Sequence, residues 1–172
     1  MHPFVAKKAF ECTKRVQRDV DSIKVLGIIG NDNNGGEFDA FKHAYWMAYL
    51  GWKLDDKKVL KLGKAHEKGN YLQFKKHRLE DQFLPDSVSS AMDLWNNEIG
   101  IATTAKCRNI DARTIQKKVL DQLSSGKLMV IKKDKKGNYL YCNGTFIDMN
   151  EWKGKWNIPK CLIASGQHVD QN

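Results

Sequence analysis

The segment at residues 37–52, EFDAFKHAYWMAYLGW, constrains the fold most strongly because it is apolar nearly all round. At the period of an α-helix, Phe38, Phe41 and Tyr45 lie on one side, whereas Trp46 lies on another. A helix with apolar residues on every side has to be covered by other elements, because water would otherwise contact them. The sequence therefore predicts a central helix around which the rest of the chain packs.

Amphipathic segments on both sides supply elements that could cover this helix. Residues 3–26 and 55–68 repeat apolar side chains at helical spacing, and Gly69 follows the second segment as a stop signal. Residues 88–105 follow a Pro-Asp-Ser start signal, and residues 111–126 begin with a capping Asp and end with Gly. We therefore predict four or five helices in all.

The carboxy-terminal part of the chain changes period. Residues 127–147 contain short apolar runs around a DKKG turn, a pattern typical of a hairpin or a small three-stranded unit. We expect the two Trp of the segment 152–164 to pack against the helices. The sequence thus predicts one mainly α domain over residues 1–172, a helical bundle whose core spans 3–126, with a β-hairpin appendage and tail at 127–172.

The four cysteines are too far apart for a CxxC redox pair or a zinc knuckle: Cys12, Cys107, Cys142 and Cys161. Two disulfides in any of three pairings would suit an oxidising compartment. Four buried free thiols are the equally simple alternative. The sequence leaves both open.

The charge balance allows an anionic partner. Lys and Arg total 29 against 20 acidic residues, so the formal net charge is +9. Nucleic acid, an anionic membrane and an acidic polymer are all compatible with this charge. Lys supplies most of it and lacks the fork with which Arg reads phosphate or guanine, which disfavours specific nucleic-acid recognition. No apolar run approaches the ~20 residues of a membrane span, and the first ten residues lack the continuous apolar run of a signal peptide.

Three predicted helices carry polar residues on faces that periodicity places inward. These residues are Asp39 and His43 on the first helix, His66 and Glu67 on the next, and Asp93, Asn96 and Asn97 on the third. Burying such groups costs several kcal/mol each unless they are paired. They therefore form either a closed hydrogen-bond network with satisfied core histidines, or a functional site.

A site of this composition suits attack by an activated water, because no serine lies in a GxSxG setting. His43 or His66 would act as base, and Asp39 or Glu67 would orient it. Asn96 or Asn97 would donate to the developing oxyanion. The other catalytic candidate is Asp93, and the substrate-binding candidates are Trp46 and Trp95.

No cofactor is favoured, although a divalent metal would find ligands here. Three or four of a set of five side chains would hold it: Asp39, His43, His66, Glu67 and Asp93. We favour a metal-free site because the two carboxamides are better hydrogen-bond donors than metal ligands. An Asp39 to His43 hydrogen bond, one helical turn apart, is expected to hold the imidazole, with His66 facing it across a gap.

Three ordered motifs carry a resemblance: DAFKHAYWMAYL, GKAHEKGN and SSAMDLWNNEIG. They resemble an uncharacterised, mostly bacterial domain at the ends of secreted wall-associated, Rhs-type and polymorphic-toxin-like proteins, over residues 36–130. Lys42 stands where that pattern usually has Arg. The resemblance implies a secreted or extracytoplasmic protein, an immunity-type protein partner, and eight signature positions: Asp39, His43, Trp46, His66, Glu67, Asp93, Asn96 and Asn97.

Together these observations predict a secreted toxin-like or effector-like hydrolase. Its substrate would be an anionic envelope component, either a phospholipid or a cell-wall polymer or precursor. A non-catalytic basic module that binds nucleic acid or an anionic surface is the alternative, and a nuclease is the third hypothesis.

Overall fold

The protein has a mainly α fold with a small antiparallel sheet near the carboxy terminus, which confirms the predicted fold class. The computed structural model describes residues 3–77, 84–105, 107 and 109–167. Within these residues lie five helices and two strands: α1 (Pro3–Leu26), α2 (Glu37–Lys53), α3 (Asp56–Lys75), α4 (Ser87–Thr104), α5 (Ala112–Ser124), β1 (Met129–Ile131) and β2 (Leu162–Ala164). No helix among them is both long and apolar enough to cross a membrane.

Helix α2 lies at the centre of the molecule, as its all-round apolar surface predicts. Phe41, Ala44, Met47 and Leu50 point to different sides of α2, and each is buried. Helices α1, α3, α4 and α5 and strand β1 all pack against α2. Burying the aromatic and aliphatic surface of α2 is the main hydrophobic contribution to the core.

Aspartate side chains begin three of the helices. Asp55, Asp86 and Asp111 each accept hydrogen bonds from backbone N–H groups in the first turn of α3, α4 and α5. These bonds satisfy donors that have no partner within the helix itself. The predicted helix starts near Asp86 and Asp111 are therefore correct.

Helix α3 is longer than the sequence predicts. Gly69 does not stop it, and the helix continues to Lys75. In the additional turns, Tyr71 and Phe74 contact the indole of Trp156, with ring centroids 4.9 and 5.0 Å apart. Such packing outweighs the ~1 kcal/mol by which Gly disfavours a helix. The contact also confirms that this tail Trp packs against the helices.

The strand that pairs with β1 comes from the tail. Val130 lies opposite Ile163 in the antiparallel register, so β1 and β2 are far apart in sequence. The expected local hairpin forms isolated bridges on either side of its turns, Lys133 to Tyr139 and Leu140 to Phe146. The alternation of apolar residues predicts strands here but does not say which strands pair.

One disulfide joins the appendage to the tail, between Cys142 and Cys161. Cys12 is a buried free thiol whose pKa is raised by burial, and Cys107 is also free. The chain therefore matches neither expectation, two disulfides or four free thiols. Spacing cannot decide such pairings because the bond requires two Cβ atoms to meet in the folded chain.

Candidate functional site

A cleft of about 630 Å³ opens between α1, α2 and the residues around the start of α4. His43, Asp39 and Asp93 lie on its lining, together with His66 of α3 and Trp46 of α2. The fold therefore brings five of the sequence-predicted residues to one cavity from three helices.

The centre of the site is the imidazole of His43. Its Nε2 atom lies 3.4 Å from Oδ1 of Asp93 and 3.7 Å from Oδ1 of Asp39. All three residues are about 7% exposed, so water screens their interaction only partly. Two carboxylates at this distance can hold the ring in place and stabilise positive charge that develops on it.

Asp39 is held by groups of its own helix and of the preceding loop. The backbone N–H of Gly35 donates to its Oδ2 at 2.9 Å, and the Nζ atom of Lys42 lies 2.9 Å from its Oδ1. The sequence predicts Asp39 as the partner of His43, but Asp93 of α4 is the nearer carboxylate. The partner is thus set by helix packing rather than by the one-turn spacing within α2.

His66 faces His43 across the cleft, with ring centroids 6.2 Å apart. The indole of Trp46 stands edge-on to His66 at 5.5 Å and donates from Nε1 to Oγ1 of Thr13 at 2.9 Å. This hydrogen bond fixes the indole against α1. His66 and Trp46 therefore lie together on the lining of the cleft.

Two predicted site residues support the appendage and do not line the cleft. Asn96 is fully buried, where its Nδ2 donates to the carbonyl oxygen of Met129 and its Oδ1 accepts from the Met129 N–H. Trp95 is half-exposed and donates from Nε1 to the carbonyl oxygen of Lys127. Both side chains hold the chain just before and within β1.

Two further predicted residues are buried behind the cleft. Glu67 accepts a hydrogen bond from Asn70 on the next turn of α3. Asn97 lies beside Gly63 of α3 and Met47 of α2, and neither polar atom of its side chain has a hydrogen-bond partner among the described residues. Neither Glu67 nor Asn97 contributes to the cleft lining.

A family model described as "Domain of unknown function (DUF6973)" matches residues 1–127. This chain belongs to the DUF6973 family. The DUF6973 region includes α1 to α5 and every residue that lines the cleft, and it ends just before β1. The disulfide and the sheet lie outside it. Neither the curated proteins nor the solved structures contain a match to the chain.

Several cleft residues of the DUF6973 region were not predicted from the sequence: Thr13, Gln17, Asp21 and Lys24 of α1, Asn33 and Asn34 of the following loop, and Lys42 and Ser89. Helical spacing could have identified two of them, because Lys42 is three residues after Asp39 and Ser89 is four before Asp93, which places each on the same helix face as a predicted site residue. No sequence pattern identifies the α1 residues, because they match the polar face of an ordinary amphipathic helix.

A buried ion pair anchors the start of α4, next to the cleft. The Nζ atom of Lys160 lies 2.6 Å from Oδ2 of Asp86, and both side chains are almost fully buried. Burial lowers the pKa of Lys160, although the neighbouring carboxylate raises it in part. The tail outside the DUF6973 region thus holds Asp86, which caps the helix that carries Asp93.

The site also has the ligand types of a small metal centre. Asp39, His43 and Asp93 each offer one ligand atom, and the three atoms lie within 4.8 Å of one another. Two carboxylates and an imidazole suit several divalent cations. Lys42 places a positive charge beside Asp39, one of these three residues.

Proposed function

We propose that this protein is a hydrolase in which His43 activates a water molecule for attack on an anionic envelope substrate. The observation that carries the proposal is the placement of His43 between Asp93 and Asp39 on the lining of an open cleft. A base of this kind contributes typically 10²- to 10⁴-fold to a rate.

The proposed reaction uses His43 and His66 in two steps. His43 takes a proton from water as the water oxygen bonds to the carbonyl or phosphoryl centre, and the carboxylates stabilise the imidazolium that results. The bond to the leaving group then breaks, and the leaving oxygen receives a proton from His66 across the cleft. Lys42 stabilises the negative charge that develops on the substrate.

The carboxamides have no part in this mechanism. Asn96 uses both of its polar groups on the backbone of Met129, and Asn97 is buried behind the cleft. An oxyanion donor has to reach the substrate, at about 2.7–3.1 Å from the reacting oxygen. We therefore assign the electrostatic role to Lys42 instead.

Charge and redox state support an extracytoplasmic target. The formal net charge is +9, so the protein surface as a whole attracts an anionic substrate. The cleft itself is lined by both signs of charge, with Lys24 and Lys42 beside three Asp residues. The disulfide between Cys142 and Cys161 suits an oxidising compartment. A secreted toxin-like or effector-like role, with an immunity-type protein in the producing cell, agrees with these features.

The decisive experiment compares substrates and variants. Wild type and the His43→Ala and Asp93→Asn variants are incubated separately with phosphatidylglycerol vesicles, peptidoglycan, and plasmid DNA or RNA. We expect product from an envelope substrate, with at least a 100-fold lower rate in both variants. His77→Asn is the matched control because His77 is exposed, and Asn tolerates its φ of 51°.

Other outcomes distinguish the remaining hypotheses. Cleavage of DNA or RNA that requires His43 would identify a nuclease. Salt-sensitive binding to an anionic surface that persists in His43→Ala, with no product from any substrate, would identify a binding module.

Metal dependence is tested separately. We expect no stoichiometric divalent metal in protein purified without chelator, and an unchanged rate after EDTA treatment. A bound metal that is lost together with activity in His43→Ala would show that Asp39, His43 and Asp93 act as ligands.

A further inference from the structure

Three large aliphatic side chains are exposed at the end of α1. Val25 is 87% exposed, Leu26 is 72% exposed and Ile28, just beyond the helix, is 52% exposed. Exposed aliphatic residues scattered singly are ordinary on protein surfaces, but three within four positions form a cluster. We call these three residues the apolar tip.

The apolar tip stands clear of the rest of the described chain. Gly27, between Leu26 and Ile28, turns the backbone with a φ of +61°. A β-carbon added at Gly27 or at Gly30 would meet no atom within 4 Å. The backbone of this turn therefore faces open space at Gly27 and Gly30. Ile29 packs against the core, whereas the three side chains of the apolar tip remain exposed.

The apolar tip lies in the chain between residues that line the cleft. Lys24 immediately precedes it and lines the cleft, and Asn33 and Asn34 follow it and line the cleft as well. The Nζ atom of Lys24 lies 5.5 Å from the ring centroid of Phe38, another cleft residue. A surface bound by the tip is therefore close to residues that line the cleft.

We infer that the apolar tip inserts into an anionic phospholipid bilayer and delivers membrane phospholipid to the cleft. This inference rests on the proposed function and selects phospholipid among its envelope substrates. Aliphatic side chains gain free energy by leaving water for the acyl region, while Lys24 and the positive net charge attract anionic headgroups. The two contributions act on the same surface.

Other occupants fit the apolar tip less well. Single-stranded nucleic acid is bound by stacking its bases on aromatic side chains, and the apolar tip contains no aromatic residue. A specific protein interface uses about 20–30 residues on each side, whereas this tip has three. A bilayer needs no shape complementarity, so a small protruding cluster suffices.

Vesicle binding tests the inference independently of catalysis. All variants carry His43→Ala, so that binding is measured without hydrolysis, and vesicles contain either equal parts phosphatidylglycerol and phosphatidylcholine or phosphatidylcholine alone. We expect binding to the anionic vesicles, weakened at least tenfold by the double change Val25→Ser and Leu26→Ser. Ile28→Ser, outside α1, should weaken it in the same direction.

The matched control is Phe146→Ser. Phe146 is 57% exposed and lies in a second, Lys-lined groove of the appendage, so it tests whether any exposed apolar residue near positive charge binds lipid. We expect its affinity to equal that of the His43→Ala parent. Thermal unfolding of each variant verifies that the fold is retained.

Three results would overturn the inference: no binding of the parent to anionic vesicles, equal binding by the tip variants, or loss of binding in Phe146→Ser alone. Failure of the proposed function gives a different result. In that case the otherwise wild-type protein and His43→Ala produce equal amounts of product, or none, whatever the tip does in the binding assay.

Discussion

Gly100 of α4 lies directly against the backbone of Ala44 in α2, so closely that a β-carbon at residue 100 would overlap the carbonyl oxygen of Ala44. This contact lies next to His43 in sequence and about two turns from Asp93. The absence of a side chain at Gly100 is therefore what lets α2 and α4 approach and bring His43 near Asp93.

Replacing Gly100 with Ala should separate α2 from α4, because the clash is with backbone that cannot rotate away. We expect the free energy of unfolding to fall by about 1–3 kcal/mol. Gly69→Ala is the control, since a β-carbon there meets nothing, and it should raise stability by about 0.5–1 kcal/mol. Urea unfolding measures the free energy of unfolding of both variants. An unchanged value in Gly100→Ala would refute the close approach of α2 and α4.

Lys160→Met should destabilise the protein strongly. It leaves the buried carboxylate of Asp86 without its ammonium partner, which costs about 3 kcal/mol. Urea unfolding of Lys160→Met is compared with that of Lys153→Met, an exposed position where we expect little change. Equal stability of the two variants would show that the pair does not hold the tail to α4.

Asn96→Leu should destabilise the protein because it removes both hydrogen bonds to Met129. The backbone N–H and carbonyl of that residue would lose their partner, at about 1–3 kcal/mol for each group left unsatisfied. Urea unfolding gives the cost, and hydrogen exchange at the Met129 amide should accelerate. A protected amide in Asn96→Leu would contradict the assigned role.

Asn97→Leu should have the opposite effect. Both polar atoms of Asn97 are buried without a partner among the described residues, so an apolar side chain of the same branched shape removes a desolvation cost. We expect unchanged or higher stability, by up to about 2 kcal/mol. A loss like that of Asn96→Leu, measured in the same urea series, would mean that Asn97 is satisfied in solution.

The Asp111 cap of α5 should give a pH-dependent contribution to stability. Its hydrogen bonds with Thr114 lower the pKa of Asp111 below the usual 3.8. The contribution is therefore complete above pH 3.8 and is lost as the pH falls through the lowered pKa. Thermal unfolding should show that wild type is more stable than Asp111→Ala near neutral pH and loses this difference at acid pH. The difference in stability between Asp111→Asn and Asp111→Ala should not depend on pH, because Asn carries no charge. A pH-independent difference would disprove the charged cap.

The sequence predicted the helices well because local patterns control them. The apolar period, the capping Asp residues and the final Gly act within one or two turns, so they can be read without knowing the fold. The exception is α3, where Gly69 reads as a stop. The ring of Trp156 stabilises the extra turns from a distant part of the chain.

For the candidate site, periodicity identified the inward polar faces but not the role of each residue. Asp39 and His43 are one turn apart on α2, and the same pattern drew attention to Asp93 and Asn96 on α4. Only the packing of α4 shows that Asp93 faces His43, whereas Asn96 faces the backbone of Met129. Helical spacing determines which side chains share a face, not what that face meets.

The amino-acid sequence by itself determined the mainly α fold, the central position of α2 and the positive charge, because these depend on composition and on neighbours within a few residues. The tertiary structure alone decided the pairing of Cys142 with Cys161, the pairing of β1 with β2 and the α1 wall of the cleft. Each of these joins residues far apart in the chain. Their contact depends on how the helices pack, which no local pattern encodes.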